Sequence, residues 1–358
     1  MATRSSGSSH RSSTRKNPAD LDIADWLRKL PKVELHLHLE GTIEPQTLVD
    51  LSRRHDADPL TLDAARRLYT YENFLGFLMA FKAVTERLQG PDDYELITYN
   101  MVRTLAAQGV LHAEVYISFG ILYFWRKVEV EPYVEAIERG RIRGEKDFGT
   151  TISWIIDAVR NFGPEEAFRV FRKAAQLRPY VPSIVGIGIG GDEARGPASL
   201  FKEHYAEARE AGLRLTAHAG ESGGPVEGPA SIWAALNIGA ERLGHGLAAQ
   251  YDPHLIEVLA EKQVPVEINV TSNIRTGCCP SFADHPLRRY FDAGLMVTLN
   301  SDDPPMFGSD LLGEYILAQQ QFGFSLEQMR ELAANAVEAS FLAPARKLDL
   351  LQRVEQYT

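Results

Sequence analysis

The sequence predicts an α/β protein built as a (β/α)8 TIM barrel, with additional helices after the first strand and at the C-terminus. Three observations lead there. Eight short apolar runs alternate with helical stretches, which calls for a parallel sheet with crossover helices. The length, 358 residues, suits one large barrel or two modest domains. Histidines and carboxylates gather where several of the runs end, and barrel enzymes carry their active sites at the C-terminal ends of their strands. An open doubly wound sheet is the competing arrangement of the same alternation.

"DLDIADWLRKLP" reads as a short amphipathic helix, and its proline delivers the chain into "VELHLHLEG", residues 33–41, the first strand. "TIEPQTLVDLSRRH" carries apolar positions at helical spacing. A long helical stretch is expected over residues 60–109. Within it Phe74, Phe77, Leu78 and Phe81 fall at i, i+3, i+4 and i+7 and form one apolar face. That face suits plain core packing, or a lid over a substrate. "LHAEVYIS", "TISWIIDAV", "SIVGIGIGG", "LRLTAHAGE", "ERLGHGL", "VPVEINVTSN" and "LMVTLNSDDP" then read as strands two to eight. A helix follows each, and helices run from the last strand to the end. No linker divides them, so residues 19–358 read as a single domain. Residues 1–18 are rich in Ser and Arg and lack acids. They read as a disordered tail or an expression remnant, although organelle transit peptides share that composition.

Hydrophobic residues make up 44% of the chain, enough for a large core, and the formal net charge is −10. That charge argues against a general nucleic-acid binder, which needs a basic footprint, but not against a nucleobase or nucleoside substrate. The only cysteines, Cys278 and Cys279, are adjacent, so a disulfide framework is not expected and a cytoplasmic location is the default. No apolar run is long enough for a membrane span. A homo-oligomer remains open.

Strand side chains alternate, so Glu34, His36, His38 and Glu40 are expected on one side, facing the barrel axis, with Leu35, Leu37 and Leu39 toward the helices. His218 and Glu221 end the fifth strand, His245 lies between two glycines in the sixth, and Asp302 and Asp303 end the eighth. Each has an ordinary reading: a lone histidine is usually a satisfied polar residue, and "DDP" is often a turn. Convergence at the ends of four strands is what points to a metal. Imidazole and carboxylate suit Zn²⁺, with other divalent ions of similar preference as substitutes. Such an ion lowers the pKa of a bound water from about 15.7 toward about 7. Glu221, three residues beyond His218, is suited to donate a proton, and burial would help it hold one.

"PKVELHLHLEGT", "GIGIGGDE", "HAGE", "RLGHGL" and "LNSDDP" together resemble the adenosine deaminase family of the amidohydrolase superfamily, over about residues 30–345. The resemblance implies a zinc-dependent hydrolytic deaminase. His36, His38, His218 and Asp302 correspond to ligands of one Zn²⁺ per chain, with Asp302 counted among the catalytic residues together with Glu221 and His245. Glu221 corresponds to the acid that protonates N1 of the purine. His245 corresponds to the residue that orients or deprotonates the attacking water. Asp303 would hydrogen-bond N7, and Gly191 would offer its backbone N–H to N3. The fourth run lacks the lysine that bridges two metals in binuclear relatives, which favours a single ion. A metal-dependent cyclic amidohydrolase and a non-catalytic barrel are the alternatives; the second requires a missing ligand or acid, and none is missing.

The family's substrates include adenosine, free adenine and 6-amino-6-deoxyfutalosine, a nucleoside of menaquinone biosynthesis that carries a benzoate. Adenosine deaminases usually have aspartate where this chain has Glu40, a position linked to the sugar. Adenine deaminases share "HLEGT" but show "CPLSN" where this chain has "INVTSN". "TSNIRTG" is closer to the aminodeoxyfutalosine group, and Arg275 within it suits a carboxylate, though it suits a surface acid equally. Phe77 is the residue of the apolar face assigned to substrate binding. The favoured substrate is therefore aminodeoxyfutalosine or adenosine, with adenine the alternative.

Overall fold

The computed structural model describes residues 22–71 and 74–358. The tail expected over residues 1–18 lies outside the described residues, as do the side chains of Phe74 and Leu78. Eight parallel strands are joined side by side in chain order: β1 (Lys32–His38), β2 (Val110–Ser118), β3 (Thr151–Val159), β4 (Ile184–Gly190), β5 (Arg214–Ala219), β6 (Arg242–His245), β7 (Val266–Ile268) and β8 (Val297–Leu299). Just past β8 the chain returns to β1. The Asp302 N–H donates to His36 O and the His38 N–H donates to Asp302 O, both at 3.0 Å. The expected TIM barrel forms, and the bonds that close it also bring Asp302 between the two histidines.

The strands read as dense β-branched and aromatic runs because both of their faces are covered. Val115, Ile117, Trp154, Ile156, Ile187 and Ile189 are all buried. Leu35, Leu37 and Leu39 are at most 1% exposed, and truncating one to alanine would cost about 2–5 kcal/mol. Helix starts follow local chemistry. Thr61 accepts from Ala64 N, Asp252 accepts from His254 N and Leu255 N, and Ser325 and Gln328 form a reciprocal box; each such cap contributes about 1 kcal/mol. Among the described residues no helix is long and apolar enough to cross a membrane.

Four expectations change. The stretch 60–109 is three helices, Leu62–Leu68, Phe74–Thr85 and Pro91–Ala107. The last begins at Gly90–Pro91, where proline's missing N–H costs nothing. The seventh strand is shorter than "VPVEINVTSN" suggests, because Val270–Arg275 coils into a helix that turns Ser272 and Asn273 inward.

The third change is at Glu34, which does not share the side of His36 and His38. The β1–β2 register slips between Glu34, paired with Ala113, and Leu37, paired with Val115, so three steps on β1 match two on β2. Such a bulge resets the alternation. Glu34 faces the helices instead, accepts from Ser301 N–H at 2.9 Å, and lines a cavity of about 380 Å³ with Leu37, Thr104, Gln108 and Asp310. Glu40 is the fourth, because β1 stops at His38. Glu40 sits in a 3-10 turn, Leu39–Thr42, rather than continuing the strand.

Candidate active site

Three strands and the turn after β8 deliver one cluster. His36 and His38 come from β1, His218 from β5, His245 from the last residue of β6, and Asp302 from beyond β8. The ligating atoms of His36, His38 and His218 lie within 4.8 Å of one another, as do those of His36, His245 and Asp302. Asp302 Oδ1 is 3.3 Å from His38 Nε2 and 3.6 Å from His36 Nε2, and the Nε2 atoms of His218 and His38 are 3.3 Å apart. A tetrahedral zinc centre with bonds of about 2.0–2.1 Å separates its ligands by about 3.3–3.4 Å. Two of these three separations match that spacing and the third is slightly longer. His36 Nε2 is buried and has no hydrogen-bond partner, the condition of a nitrogen reserved for an ion.

Backbone strain accompanies this convergence. His245 and Asp302 adopt φ of 65° and 64°, in the left-handed region. For non-glycine residues that costs about 1–3 kcal/mol each and persists where surroundings over-determine it.

The neighbouring shell was not legible in the sequence. Glu267 on β7 accepts from His36 Nδ1 at 2.8 Å, leaving Nε2 as the lone-pair nitrogen. Arg242 on β6 pairs with Glu267 at 2.6 Å and also with Glu114 on β2, all three at most 1% exposed. Tyr116 stacks beside His38 and donates to Thr216. His218 Nδ1 faces Ile189 O at 3.1 Å, so its Nε2 is likewise free to ligate. Arg160 donates to His218 O, and Ser272 Oγ donates to Asp302 Oδ2 at 2.6 Å. Glu193, in the quoted "GGDE" segment, accepts from the backbone of Gly220 (2.7 Å), Glu221 (2.9 Å) and Ser222 (3.3 Å) and fixes the loop that carries Glu221.

Glu221 Oε2 is 3.7 Å from His245 Nε2. A cavity of about 300 Å³ opens onto Glu221, lined also by Leu247, Gln250, Tyr251, Thr276 and Cys278. Asp303 is 7% exposed, with Oδ1 unpartnered, and it packs on Gly41. A Cβ at Gly41 would lie 1.8 Å from that oxygen, so only glycine admits the carboxyl there. Gly191, just past β4, has φ 96°, and a Cβ on it would strike Asn161 Oδ1 at 2.5 Å.

Three expected residues remain: Glu40, Arg275 and Phe77. Glu40 is 2% exposed, and its Oε1 accepts from Ser118 N at 3.4 Å. Arg275 is exposed, its guanidinium 5.3 Å from the Tyr71 ring. The Tyr71 hydroxyl reaches Met306 O, and Phe77 stacks on Phe307 at 5.0 Å. The helix Phe74–Thr85 therefore lies against the segment that follows Asp303.

The electrostatics favour a cation. Burial works against charge on His36 and His38, yet the adjacent Asp302 carboxylate, joined by Glu267 at His36, pushes them up to about 10 and about 9. Burial would raise Asp302, but the same two histidines hold it well below the usual range. A cluster that draws positive charge onto buried imidazoles will also draw a metal ion. Burial and the neighbouring histidines push His218 far down, and burial pushes His245 down to about 3. Burial, joined by the charges of Asp302 and Glu193, pushes Glu221 up to about 8. Burial and Asp302 push Asp303 up to about 7.

Comparison with known proteins gives a consistent picture. Residues 31–357 match the sequence model of the adenosine deaminase family. The chain is 36% identical over 348 residues to an aminodeoxyfutalosine deaminase of Streptomyces avermitilis, covering 96% of each. It is also 36% identical over 341 residues to an adenine deaminase of Streptomyces coelicolor, covering 93% of this chain and 97% of the relative. An amidohydrolase from Burkholderia ambifaria, solved with bound Zn, superposes with a TM-score of 0.85 at 26% identity, over 97% of this chain and 96% of that one.

Proposed function

The chain belongs to the adenosine deaminase family of hydrolases, which act on C–N bonds of cyclic amidines, and we propose that it is a zinc-dependent deaminase converting a 6-aminopurine nucleoside to its 6-oxo form with release of ammonia. The observation that carries this reading is the junction of a closely spaced His36–His38–His218–Asp302 set with Glu221 and His245, 3.7 Å apart, at its edge. When bound there, the ion supplies a water acidified from a pKa of about 15.7 toward about 7.

The chain's own residues do the rest. The Glu221 carboxyl, held protonated at neutral pH by burial, donates to the purine N1 and makes C6 more electrophilic. His245 holds the attacking water on the side facing C6. Asp303, raised to about 7 by burial and by Asp302, is partly protonated at neutrality, and its acid form would donate to N7. Gly191 lets the ring approach the backbone closely enough for its N–H to meet N3.

Within this class the favoured substrate is 6-amino-6-deoxyfutalosine, followed by adenosine. Arg275 supports it: the guanidinium is exposed beside Tyr71 rather than paired with a surface acid among the described residues, so a substrate carboxylate can pair with it. Free adenine is the second reading. Glu40 favours it, since a carboxyl buried against Ser118 N stands where a sugar would be recognised, and an adenine deaminase is among the relatives of equal identity. Ammonia release from aminodeoxyfutalosine, adenosine, deoxyadenosine and adenine tests both. The highest kcat/KM is expected with aminodeoxyfutalosine. Turnover of adenine alone would replace the nucleoside reading, and release from none of the four would end the deaminase reading.

A further inference from the structure

His245 lies within ligand distance of His36 and Asp302, so spacing alone leaves it as a possible metal ligand, a base or a hydrogen-bond donor. Its other nitrogen decides among them. His245 Nδ1 is 2.9 Å from Asn273 Nδ2 and 3.3 Å from Asn269 Nδ2. Asn273 Oδ1 is 3.1 Å from His285 Nε2, and His285 Nδ1 is 3.2 Å from the backbone N–H of Leu287. His245, Asn273 and His285 are 1%, 0% and 3% exposed, so no water is needed to complete the chain.

A backbone N–H is a donor in every state, and it fixes the direction of each bond that follows. Leu287 N–H donates, so His285 Nδ1 accepts and its proton sits on Nε2. That proton goes to Asn273 Oδ1, which turns the Asn273 amide toward His245 as a donor. His245 Nδ1 must then accept, and its own proton sits on Nε2, facing Asp302 and Glu221 at 4.0 and 3.7 Å. Turning the Asn273 amide over would set two donors against each other at Leu287. Burial keeps His285 neutral, pushing it down to about 3, as the chain of bonds requires.

We propose that Leu287, His285 and Asn273 form a positioning relay that locks His245 in the Nε2–H tautomer, so that His245 acts as a hydrogen-bond donor to the attacking oxygen and neither ligates the metal nor serves as the base. The contrast with its neighbours supports this. His36 donates Nδ1–H to Glu267, and His218 donates Nδ1–H to Ile189 O, so both turn a lone pair inward. His245 alone of these three has the opposite polarity, and the buried amide relay behind it sets that polarity. The catalytic part of this inference rests on the deaminase reading; the tautomer itself does not.

Long-range ¹H–¹⁵N spectra of the full-length, histidine-labelled protein, metal-free and zinc-loaded, read the tautomer directly, with H245Q giving the assignment. The wild type should show a pyrrole-like Nε2 and a pyridine-like Nδ1 for His245. N273D, nearly isosteric, offers an acceptor at both ends and should move the proton to Nδ1. Its kcat should fall by about 10²-fold, the scale of losing one preorganised donor, with zinc content unchanged. H285L should weaken the same signature and H285Q, which keeps a donor toward Asn273, should restore it. A proton on Nδ1 in the wild type, an unmoved proton in N273D, or kcat of N273D within about threefold of wild type would each overturn the proposal. A protein with the expected spectrum but no aminopurine turnover would instead overturn the deaminase reading and leave the relay standing.

Discussion

The floor of the barrel mouth and its rim are built by different means. At the floor, His36, Glu267, Arg242, Glu114 and Tyr116 are at most 1% exposed and come from β1, β7, β6 and β2. Charge-assisted bonds tie them together, so moving one strands another's charge in a medium that cannot solvate it. At the rim, Arg275, Tyr71, Phe77 and Phe307 meet through ring contacts, and Arg275 is exposed. Under the proposed function, chemistry is fixed where strands brace one another, and substrate choice is left to contacts that can change without disturbing the barrel.

The sharpest way to break this contrast is at the floor's reactive edge. Glu221→Gln should lower kcat by about 10²–10⁴-fold while zinc content by atomic absorption stays at one per chain. Near-normal turnover would remove Glu221 from the chemistry.

Glu267→Gln is the next largest. It weakens the acceptor behind His36 and should reduce metal affinity by about 10–100-fold, measured by chelator competition. Unchanged affinity would mean that the floor's charge network is not coupled to the ion.

At the rim, Arg275→Ala should raise KM for aminodeoxyfutalosine by about 10-fold or more, the scale of one charge-assisted hydrogen bond, with adenosine almost unaffected. An equal change for both substrates would mean that the rim does not read a carboxylate.

The smallest effect is in pH. Because Glu221 is raised to about 8, its acid form dominates at neutrality and is lost as pH rises through that value. The kcat/KM profile should fall by about tenfold per pH unit above it, and E221Q should lack that limb. An alkaline limb that persists in E221Q would assign it to another group.

Much of the floor could be read locally. His36 and His38 share one strand, His218 and Glu221 one strand end, and Asp302 and Asp303 one turn, so each motif announced itself within a few residues. Glu267 did not, because a glutamate inside "VPVEINV" looks like any polar strand residue and its partner His36 lies 231 positions away. His285 and Asn273 were hidden in the same way. Each is an ordinary polar residue until a helix replaces the expected strand at Val270–Arg275 and turns Asn273 inward.

By itself the sequence determined the alternation of strand and helix, the number of strands, and which strand ends carry imidazole and carboxylate. Those follow from periodicity and composition over short stretches, where side-chain direction is set by local geometry. Tertiary structure alone decided that a bulge turns Glu34 away from His36. It also decided that barrel closure carries Asp302 to the histidines, and that the bonds behind each imidazole fix which nitrogen faces inward. The physical reason is that register, closure and tautomer depend on hydrogen bonds between residues far apart in the chain, and those partners are defined only once the barrel is shut.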